Sequence, residues 1–169
     1  MILSDKSIEE AMKSEKICIY PLPDDDCFQP ASVDIRLGEG FKDVEGNDMG
    51  RGKRFLVHPG SFVLASTLER VKLSHDIVAK IEGKSSIGRK GIFVHVTAGY
   101  VDPGWDGRLT LEIYNASNKP YLLKYGEKIA QIRFETMTTP VGRPYGHPTL
   151  GSHYQGSEGT VESAIWKEK

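Results

Sequence analysis

Residues 82–115 read EGKSSIGRKGIFVHVTAGYVDPGWDGRLTLEIYN, a stretch that combines a basic serine-rich turn, a loop with Gly, Asp and Pro, and a strand pattern. Apolar and polar residues alternate from Leu109 to Tyr114, and Glu112 is among the polar ones. A β-strand sends alternate side chains to opposite faces, so the pattern predicts a strand with Glu112 on its polar face. By pattern alone, the glutamate lies either on an ordinary solvated face or in a functional site.

Short apolar segments separated by turn residues extend outward from this stretch and predict an all-β fold, either a sandwich, a jelly roll or a barrel. Eighteen glycines in 169 residues exceed the usual share of about 7% and fit a chain made largely of turns. Residues 4–12 predict one short N-terminal helix with Ser4 or Ser7 as its N-cap. The predicted strands cover residues 17–20, 33–37, 55–57, 62–67, 77–82, 93–96, 109–114, 121–123 and 128–134.

Length and charge limit the classes of function. A chain of 169 residues is long enough to bury one core, so we expect a single domain, 1–169. The formal net charge of −1 argues against a nucleic-acid partner, because proteins that coat DNA or RNA are usually strongly basic. No signal peptide or apolar run of about 18 residues is visible, so the sequence predicts a cytoplasmic protein with no membrane partner.

Several motifs, in the same order along the chain, resemble those of the dCTP deaminase family, which shares its fold with the trimeric dUTPases. The central ones are KSSIGR (84–89), HVTAGYVDPG (95–104) and TLE (110–112), and the outer ones are QPASVDIRLG (29–38), RPY (143–145) and YQG (154–156). The resemblance implies a distorted jelly roll, or dUTPase-like β-barrel, assembled as a homotrimer. It also implies that the active site lies between subunits, with the serine-rich turn from one chain and the glutamate strand from another.

The implied substrate is the nucleotide dCTP, with dUTP and dTTP as related ligands. The resemblance makes Glu112 the general base and acid, with Ser85, Arg89 and the backbone of Ala98 anchoring the water and the leaving group. The nucleotide-binding residues that it implies are Lys84, Ser85, Ser86, Ile87, Gly88, Arg89, Asp102, Thr110, Leu111, Glu112, Gln131, Tyr145, His153 and Ser157.

The predicted chemistry needs no protein-bound metal. Zinc-dependent nucleobase deaminases carry H-x-E and P-C-x-x-C signatures, whereas the sequence at His95 is His-Val-Thr and the cysteines, Cys18 and Cys27, lack zinc spacing. We therefore expect no zinc. Mg²⁺ is expected to arrive with the nucleotide, bound mainly by phosphate oxygens and water.

Residues 142–169 are rich in Gly, Pro and Ser, and composition alone predicts a mobile tail. The resemblance implies instead a C-terminal segment that closes over bound nucleotide. His153 and Ser157 depart from the lysine and glutamine that the family has there, which affects the predicted phosphate contacts of this segment.

Two positions bear on the product. Gly99 and Gln131 resemble deaminases that release dUMP and diphosphate, whereas dUTP-forming enzymes usually carry histidine at the position of Gly99. The remaining alternatives are a dUTPase of the same fold and a non-catalytic nucleotide-binding regulatory module. Glu112 favours the deaminase, because dUTPases tend to have an apolar residue at that strand position.

Overall fold

The chain is predominantly β in the computed structural model, which describes residues 1–165. The helices are α1 (Asp5–Lys13) and α2 (Ser85–Gly88), together with a 3-10 turn at Asp25–Cys27. The strands are β1 Ile17–Tyr20, β2 Phe28–Gln29, β3 Ser32–Lys42, β4 Asp48–Gly50, β5 Arg54–Val57, β6 Phe62–Leu73, β7 Ile77–Gly83, β8 Ile92–Phe93, β9 Tyr100–Val101, β10 Asp106–Asn115, β11 Tyr121–Lys124 and β12 Lys128–Thr136.

Most strands belong to one antiparallel sheet with the order β8-β10-β6-β3-β12-β7-β9, onto which β1, β2 and β4 also pair. Strands β5 and β11 form a separate two-stranded sheet. Register shifts interrupt the pairing of β3 with β6, β6 with β10 and β3 with β12. Such irregularities bend strands and increase their twist, and the sheet curls around a single apolar core. The predicted all-β fold is confirmed.

The N-terminal helix is confirmed, and Ser4 is its N-cap. The Ser4 hydroxyl accepts the backbone N–H of Ser7 at 3.4 Å. Ile8 and Ala11, three positions apart, are the buried residues of this helix and attach it to the core. Neither α1 nor α2 has the length and apolarity needed to span a membrane.

Strand β10 follows the predicted alternation. Leu109, Leu111 and Ile113 are buried in the core, whereas Thr110 and Glu112 are half-buried on the other face. Each fully buried leucine or isoleucine contributes about 1.5–3 kcal/mol through burial. The apolar half of the strand therefore fixes the register that points Glu112 away from the core.

The prediction of a strand at residues 93–96 is wrong beyond Phe93. Strand β8 ends at Phe93, and the chain from residue 94 to 99 is irregular. Backbone N–H groups of this segment donate to the Glu112 carboxylate and not to a neighbouring strand. The serine-rich segment, predicted as a turn, forms the short helix α2.

Candidate functional site

A cavity of about 410 Å³ lies along the polar face of β10; we call it the Glu112 cavity. It is lined by strands β6 and β10, by residues between 98 and 105, by Val44 and by the C-terminal segment. Its lining includes Phe62, Ala98, Asp102, Trp105, Thr110, Glu112, Tyr145, Tyr154, Ser157 and Val161. Many of the residues that the sequence predicts for the site therefore meet at one place in the fold.

Backbone donors hold the carboxylate of Glu112 in a fixed position. Its Oε2 accepts the N–H groups of Val96 at 3.1 Å, Thr97 at 2.9 Å and Ala98 at 3.4 Å, and also the Thr97 hydroxyl at 3.4 Å. Hydrogen bonds to a charged acceptor are stronger than neutral ones, and successive N–H groups form an anion-binding concavity. Its Oε1 has no hydrogen bond to residues 1–165, so this oxygen is available to exchange a proton.

Ala98 lines the cavity with its side chain, while its N–H is directed at Glu112. Asp102 lies at the cavity mouth, and desolvation by the surrounding loop raises the pKa of its carboxyl group. Thr110 lines the cavity beside Glu112, and its hydroxyl accepts the N–H of Val161 at 3.2 Å. Leu111 has its side chain fully buried in the core, so it can offer a ligand only its backbone.

Trp105 is a cavity residue that the sequence analysis did not select. Its indole N–H donates to the Gly107 carbonyl at 3.1 Å, and its ring packs at a tilt against Tyr145, with 5.3 Å between centroids. A tryptophan directly after a Pro-Gly turn is a usable signal, because large aromatic residues in otherwise polar loops often form apolar walls of binding sites.

The described part of the C-terminal segment packs along the start of β10. The N–H of Gly156 donates to the Asp106 carbonyl at 2.8 Å, and the N–H of Arg108 donates to the Ser157 carbonyl at 2.7 Å. A side chain at Gly107 would bring its Cβ within 3.0 Å of the Ser157 nitrogen, so the close approach needs glycine there. Composition alone, which favoured a mobile tail, did not predict this packing.

Two tyrosine hydroxyls connect successive parts of that segment. The hydroxyl of Tyr145 accepts the N–H of Tyr154 at 3.2 Å, and the hydroxyl of Tyr154 accepts the N–H of Ala164 at 2.9 Å. Burial raises the pKa of Tyr145. Ion pairs add to the attachment, because Glu158 pairs with Arg70 and Glu162 pairs with Lys42. The segment that borders the cavity is therefore held at several points.

A second group of predicted residues consists of residues 84–89 and Gln131, and we call it the α2 group. None of its members lines the Glu112 cavity. Ser85, Ser86, Gly88 and Arg89 are exposed, and the Ser and Arg side chains have no hydrogen bond or ion pair to residues 1–165. Ile87, in contrast, is buried and attaches this short helix to the core.

Lys84 and Gln131 of the α2 group already have partners. Lys84 forms an ion pair with Asp34, and Nε2 of Gln131 donates to the Ser32 hydroxyl at 3.1 Å. Asp34 is buried, and its second oxygen, Oδ1, has no hydrogen-bond partner. Asp34 is thus a polar residue beside this group that the sequence analysis did not select.

His153 and Ser157, the two departures from the family pattern, lie in different surroundings. Ser157 borders the Glu112 cavity, and its hydroxyl donates to the Tyr154 carbonyl at 2.6 Å. His153 packs edge-on against Tyr154 and lines a neighbouring cavity of about 460 Å³ together with Arg143. Ser157 therefore stabilises a turn of the C-terminal segment with its own side chain.

Gly99 has a packing role that the sequence interpretation did not include. A Cβ at this position would lie 2.9 Å from the Ile81 carbonyl oxygen and 3.3 Å from the His95 ring. The backbone also approaches closely, because the Ile81 N–H donates to the Gly99 carbonyl at 2.7 Å. Packing against β7 is thus sufficient to explain the glycine, and Gly99 does not line the Glu112 cavity.

Both cysteines are free thiols, and burial raises the pKa of Cys27. Cys27 lies close enough to Asp24 and Asp26 for the three groups to approach one ion. Those carboxylates already have basic partners, since Arg36 pairs with Asp24 and Lys128 pairs with Asp26.

The curled antiparallel sheet, with a carboxylate in a cavity beside β10, fits the dUTPase-like β-barrel class that the sequence motifs imply. The family model described as dCTP deaminase-like matches residues 2–137. The chain belongs to the dCTP deaminase-like family.

Named relatives extend the similarity over almost the whole chain. The "dCTP deaminase, dUMP-forming" of Methanobrevibacter smithii is 47% identical, and the match covers 90% of this chain and 89% of the relative. The protein of the same name from Methanosphaera stadtmanae is 45% identical, and the match covers 97% of this chain and 93% of the relative. The "dCTP deaminase" of Haloarcula marismortui is 41% identical, and the match covers 98% of this chain and 95% of the relative.

Solved structures are also similar. The 2'-deoxycytidine 5'-triphosphate deaminase of Agrobacterium tumefaciens matches with a TM-score of 0.67 and 26% identity over 79% of this chain, which spans about half (47%) of that longer chain. A dUTPase from phage phi11 of S. aureus matches with a TM-score of 0.56 and 15% identity, covering 74% of this chain and 92% of the dUTPase. The latter similarity supports the fold alone.

Proposed function

We propose that this protein is a dCTP deaminase that hydrolyses dCTP to dUTP and ammonia and continues to dUMP and diphosphate. The observation that carries the proposal is the Glu112 carboxylate, fixed by three backbone N–H groups beside a cavity in a chain of the dCTP deaminase-like family. The names of the most similar relatives support both the substrate and the final product.

In the proposed mechanism Glu112 acts as the general base and acid. It takes a proton from the water that attacks C4 of cytosine, and it delivers protons to N3 and to the amine that leaves as ammonia. The donors on Oε2 hold the group in place, while the unoccupied Oε1 exchanges the proton. General acid–base catalysis of this type contributes about 10²- to 10⁴-fold to the rate.

The walls of the Glu112 cavity suit a pyrimidine. Phe62, Trp105 and Tyr154 provide apolar and aromatic surface, and Thr110 and Glu112 provide polar groups on one side. Most small-molecule sites have this combination of apolar walls and a few polar groups that set the orientation. We assign the base and sugar of the nucleotide to this cavity, with Asp102 and Tyr145 at its edge.

The triphosphate is assigned to the α2 group of a neighbouring subunit. Ser85, Ser86 and Arg89 are exposed, and their side chains have no partner within residues 1–165. A guanidinium with nearby hydroxyls is well suited to phosphate. These side chains do not border the Glu112 cavity of their own chain, so the assignment needs a site between subunits. The resemblance implies that these subunits form a homotrimer. Gln131 and Lys84 complete the phosphate side.

Mg²⁺ belongs to this proposal as a companion of the nucleotide. A phosphate-bound Mg²⁺ keeps much of its water and needs only one or two carboxylates from the protein. Asp102 and Glu162 are the acidic residues besides Glu112 that line the cavity within residues 1–165, which fits an ion carried by phosphates. The proposed location of the enzyme is the cytoplasm.

One experiment tests both steps. The protein is incubated with dCTP and Mg²⁺, and ammonia, diphosphate and the nucleotides are followed in parallel, the nucleotides by anion-exchange chromatography. We expect dUMP and diphosphate to form in step with ammonia. Accumulation of dUTP without diphosphate would limit the activity to deamination, and cleavage of added dUTP without any action on dCTP would make the protein a dUTPase. No action on either nucleotide would contradict catalysis.

A further inference from the structure

A second cavity, of about 320 Å³, borders the same C-terminal segment; we call it the tail-side cavity. Residues 158–160 form part of its wall, whereas residues 157 and 161–163 border the Glu112 cavity. Arg108 of β10 lines both cavities. The two spaces therefore share one cation and one segment of chain.

Arg108 is the one half-buried lysine or arginine within residues 1–165 that has no acidic partner there. Every other half-buried lysine or arginine within residues 1–165 forms an ion pair, and these residues are Arg36, Lys42, Arg70, Lys80, Lys84, Lys128 and Arg133. The guanidinium of Arg108 has neither an ion pair nor a hydrogen bond to that part of the chain. Removing a charge from water without a partner costs free energy, so an anionic ligand is the expected partner.

Two more donors face the tail-side cavity. Ser66 lines it, is 1% exposed, and its hydroxyl has no hydrogen bond to residues 1–165. Arg51 also lines the cavity and has no ion pair in the same part of the chain. The Ser66 hydroxyl borders the cavity, so it is a second group, independent of Arg108, that a ligand can reach.

Three acidic residues also line the tail-side cavity, and within residues 1–165 none of them forms an ion pair with Arg108 or Arg51. Glu158 is paired with Arg70, and Asp48 accepts the backbone N–H of Gly50 at 2.7 Å. Glu39 is exposed and forms no ion pair with residues 1–165. Two guanidinium groups and one hydroxyl without partners in residues 1–165 therefore remain available to a ligand.

We propose that the tail-side cavity is a phosphoryl-anion site in which Arg108, Arg51 and Ser66 bind the phosphate oxygens. Arginine binds phosphate with two parallel hydrogen bonds, and the cavity has room for a diphosphate-sized ion. The phosphoryl group is either a free anion or part of a nucleotide held in the Glu112 cavity. A ligand here contacts the C-terminal segment, so its binding stabilises the packed form of that segment.

Inorganic diphosphate is the probe, titrated calorimetrically into the full chain. All variants carry Arg89→Gln, which removes the guanidinium of the other proposed phosphate site. We expect Arg108→Gln to weaken binding by about tenfold or more, and Arg51→Gln and Ser66→Ala by about two- to tenfold. The matched control is Arg54→Gln, which removes an exposed arginine of β5 that has no ion pair within residues 1–165, and it should leave the affinity unchanged.

The proposal is overturned if diphosphate does not bind, or if Arg108→Gln and Arg51→Gln bind it as tightly as the Arg54→Gln control does. Because Arg51 is exposed, its variant keeps the test decisive even where Arg108→Gln lowers stability. A second diphosphate titration distinguishes a free anion from the phosphates of a bound nucleotide. It uses the Glu112→Gln, Arg89→Gln double variant saturated with dCTP. Retained diphosphate binding identifies a free anion, whereas competition identifies the phosphates of the nucleotide. Only this last arm rests on the proposed function, since the first measures binding without turnover.

Discussion

The Glu112 cavity and the α2 group carry the two halves of the predicted site, and they differ in how far one chain completes them. Glu112 receives four donors from its own chain and is covered by the C-terminal segment. Ser85, Ser86 and Arg89 are exposed and have no side-chain partner in residues 1–165. The chain thus fixes the proposed proton carrier in advance, whereas the proposed phosphate donors stay available.

This difference fits the separate demands of the two steps. A general base must be held in one geometry, because misplacement lowers the rate steeply. Phosphate donors must exchange water for ligand, so they need not be occupied before binding. The comparison predicts that changes in the Glu112 cavity lower turnover, and that changes in the α2 group act through a second chain.

The largest effect is expected from Glu112→Gln, which removes the proposed proton carrier and leaves the α2 group unchanged. The amide keeps the shape of the side chain but cannot carry the proton, so we expect kcat to fall by about 10²- to 10⁴-fold with dCTP affinity within about tenfold of the original. Ammonia release and a dCTP titration measure the two quantities. Glu9→Gln, an exposed change on α1, is the control, and near-normal turnover by Glu112→Gln would remove Glu112 from the mechanism.

The second largest effect tests whether Glu112 and the α2 group of one active site come from different chains. Glu112→Gln chains and Arg89→Ala chains are each expected to be nearly inactive, and mixing them should restore roughly a quarter of the activity when trimers assemble at random. The protein should also have about three times its chain mass of 18.8 kDa in light scattering. A fully active monomer, or mixtures no more active than their parts, would contradict sites shared between subunits.

A smaller effect is expected from Tyr154→Phe, which removes the hydroxyl that accepts the Ala164 N–H. One hydrogen bond contributes about 0.5–1.5 kcal/mol, so we expect KM for dCTP to rise about two- to tenfold with kcat nearly unchanged. Limited proteolysis should cut the C-terminal segment faster in this variant. Tyr20→Phe, at a position 77% exposed, is the matched control, and equal proteolysis of both would refute a positioning role for Tyr154.

The smallest effect concerns the pH dependence of stability at the cavity mouth. Desolvation raises the pKa of Asp102 above its usual value of 3.8, so the folded state binds this proton more tightly than the unfolded state. The charged form therefore opposes folding at neutral pH, and this contribution fades as the pH falls toward the usual value. We expect Asp102→Asn to raise Tm slightly at pH 7 and to lose that advantage near pH 4. A Tm difference between variant and original protein that is the same at both pH values would contradict this role of Asp102.

Much of the fold followed from local patterns. Alternation in Leu109–Leu111–Ile113 gave the correct faces of β10, and Ser4 was among the predicted N-caps. The strand prediction at residues 93–96 failed because the N–H groups of Val96 and Thr97 bind a side chain 15 or 16 positions away. Periodicity reports the environment of side chains and contains no information on which distant acceptor a backbone group finds.

The sequence by itself determined the all-β class, the short helix, and the motifs that resemble one enzyme family, because these depend on neighbours within a few positions. Tertiary structure alone decided that the donors around Glu112 come from residues 96–98, that Trp105 and Tyr154 line the cavity, and that Arg108 has no acidic partner within residues 1–165. It also gave Gly99 a packing role against Ile81. The physical reason is that burial, charge pairing and close backbone approach arise between segments far apart in the chain.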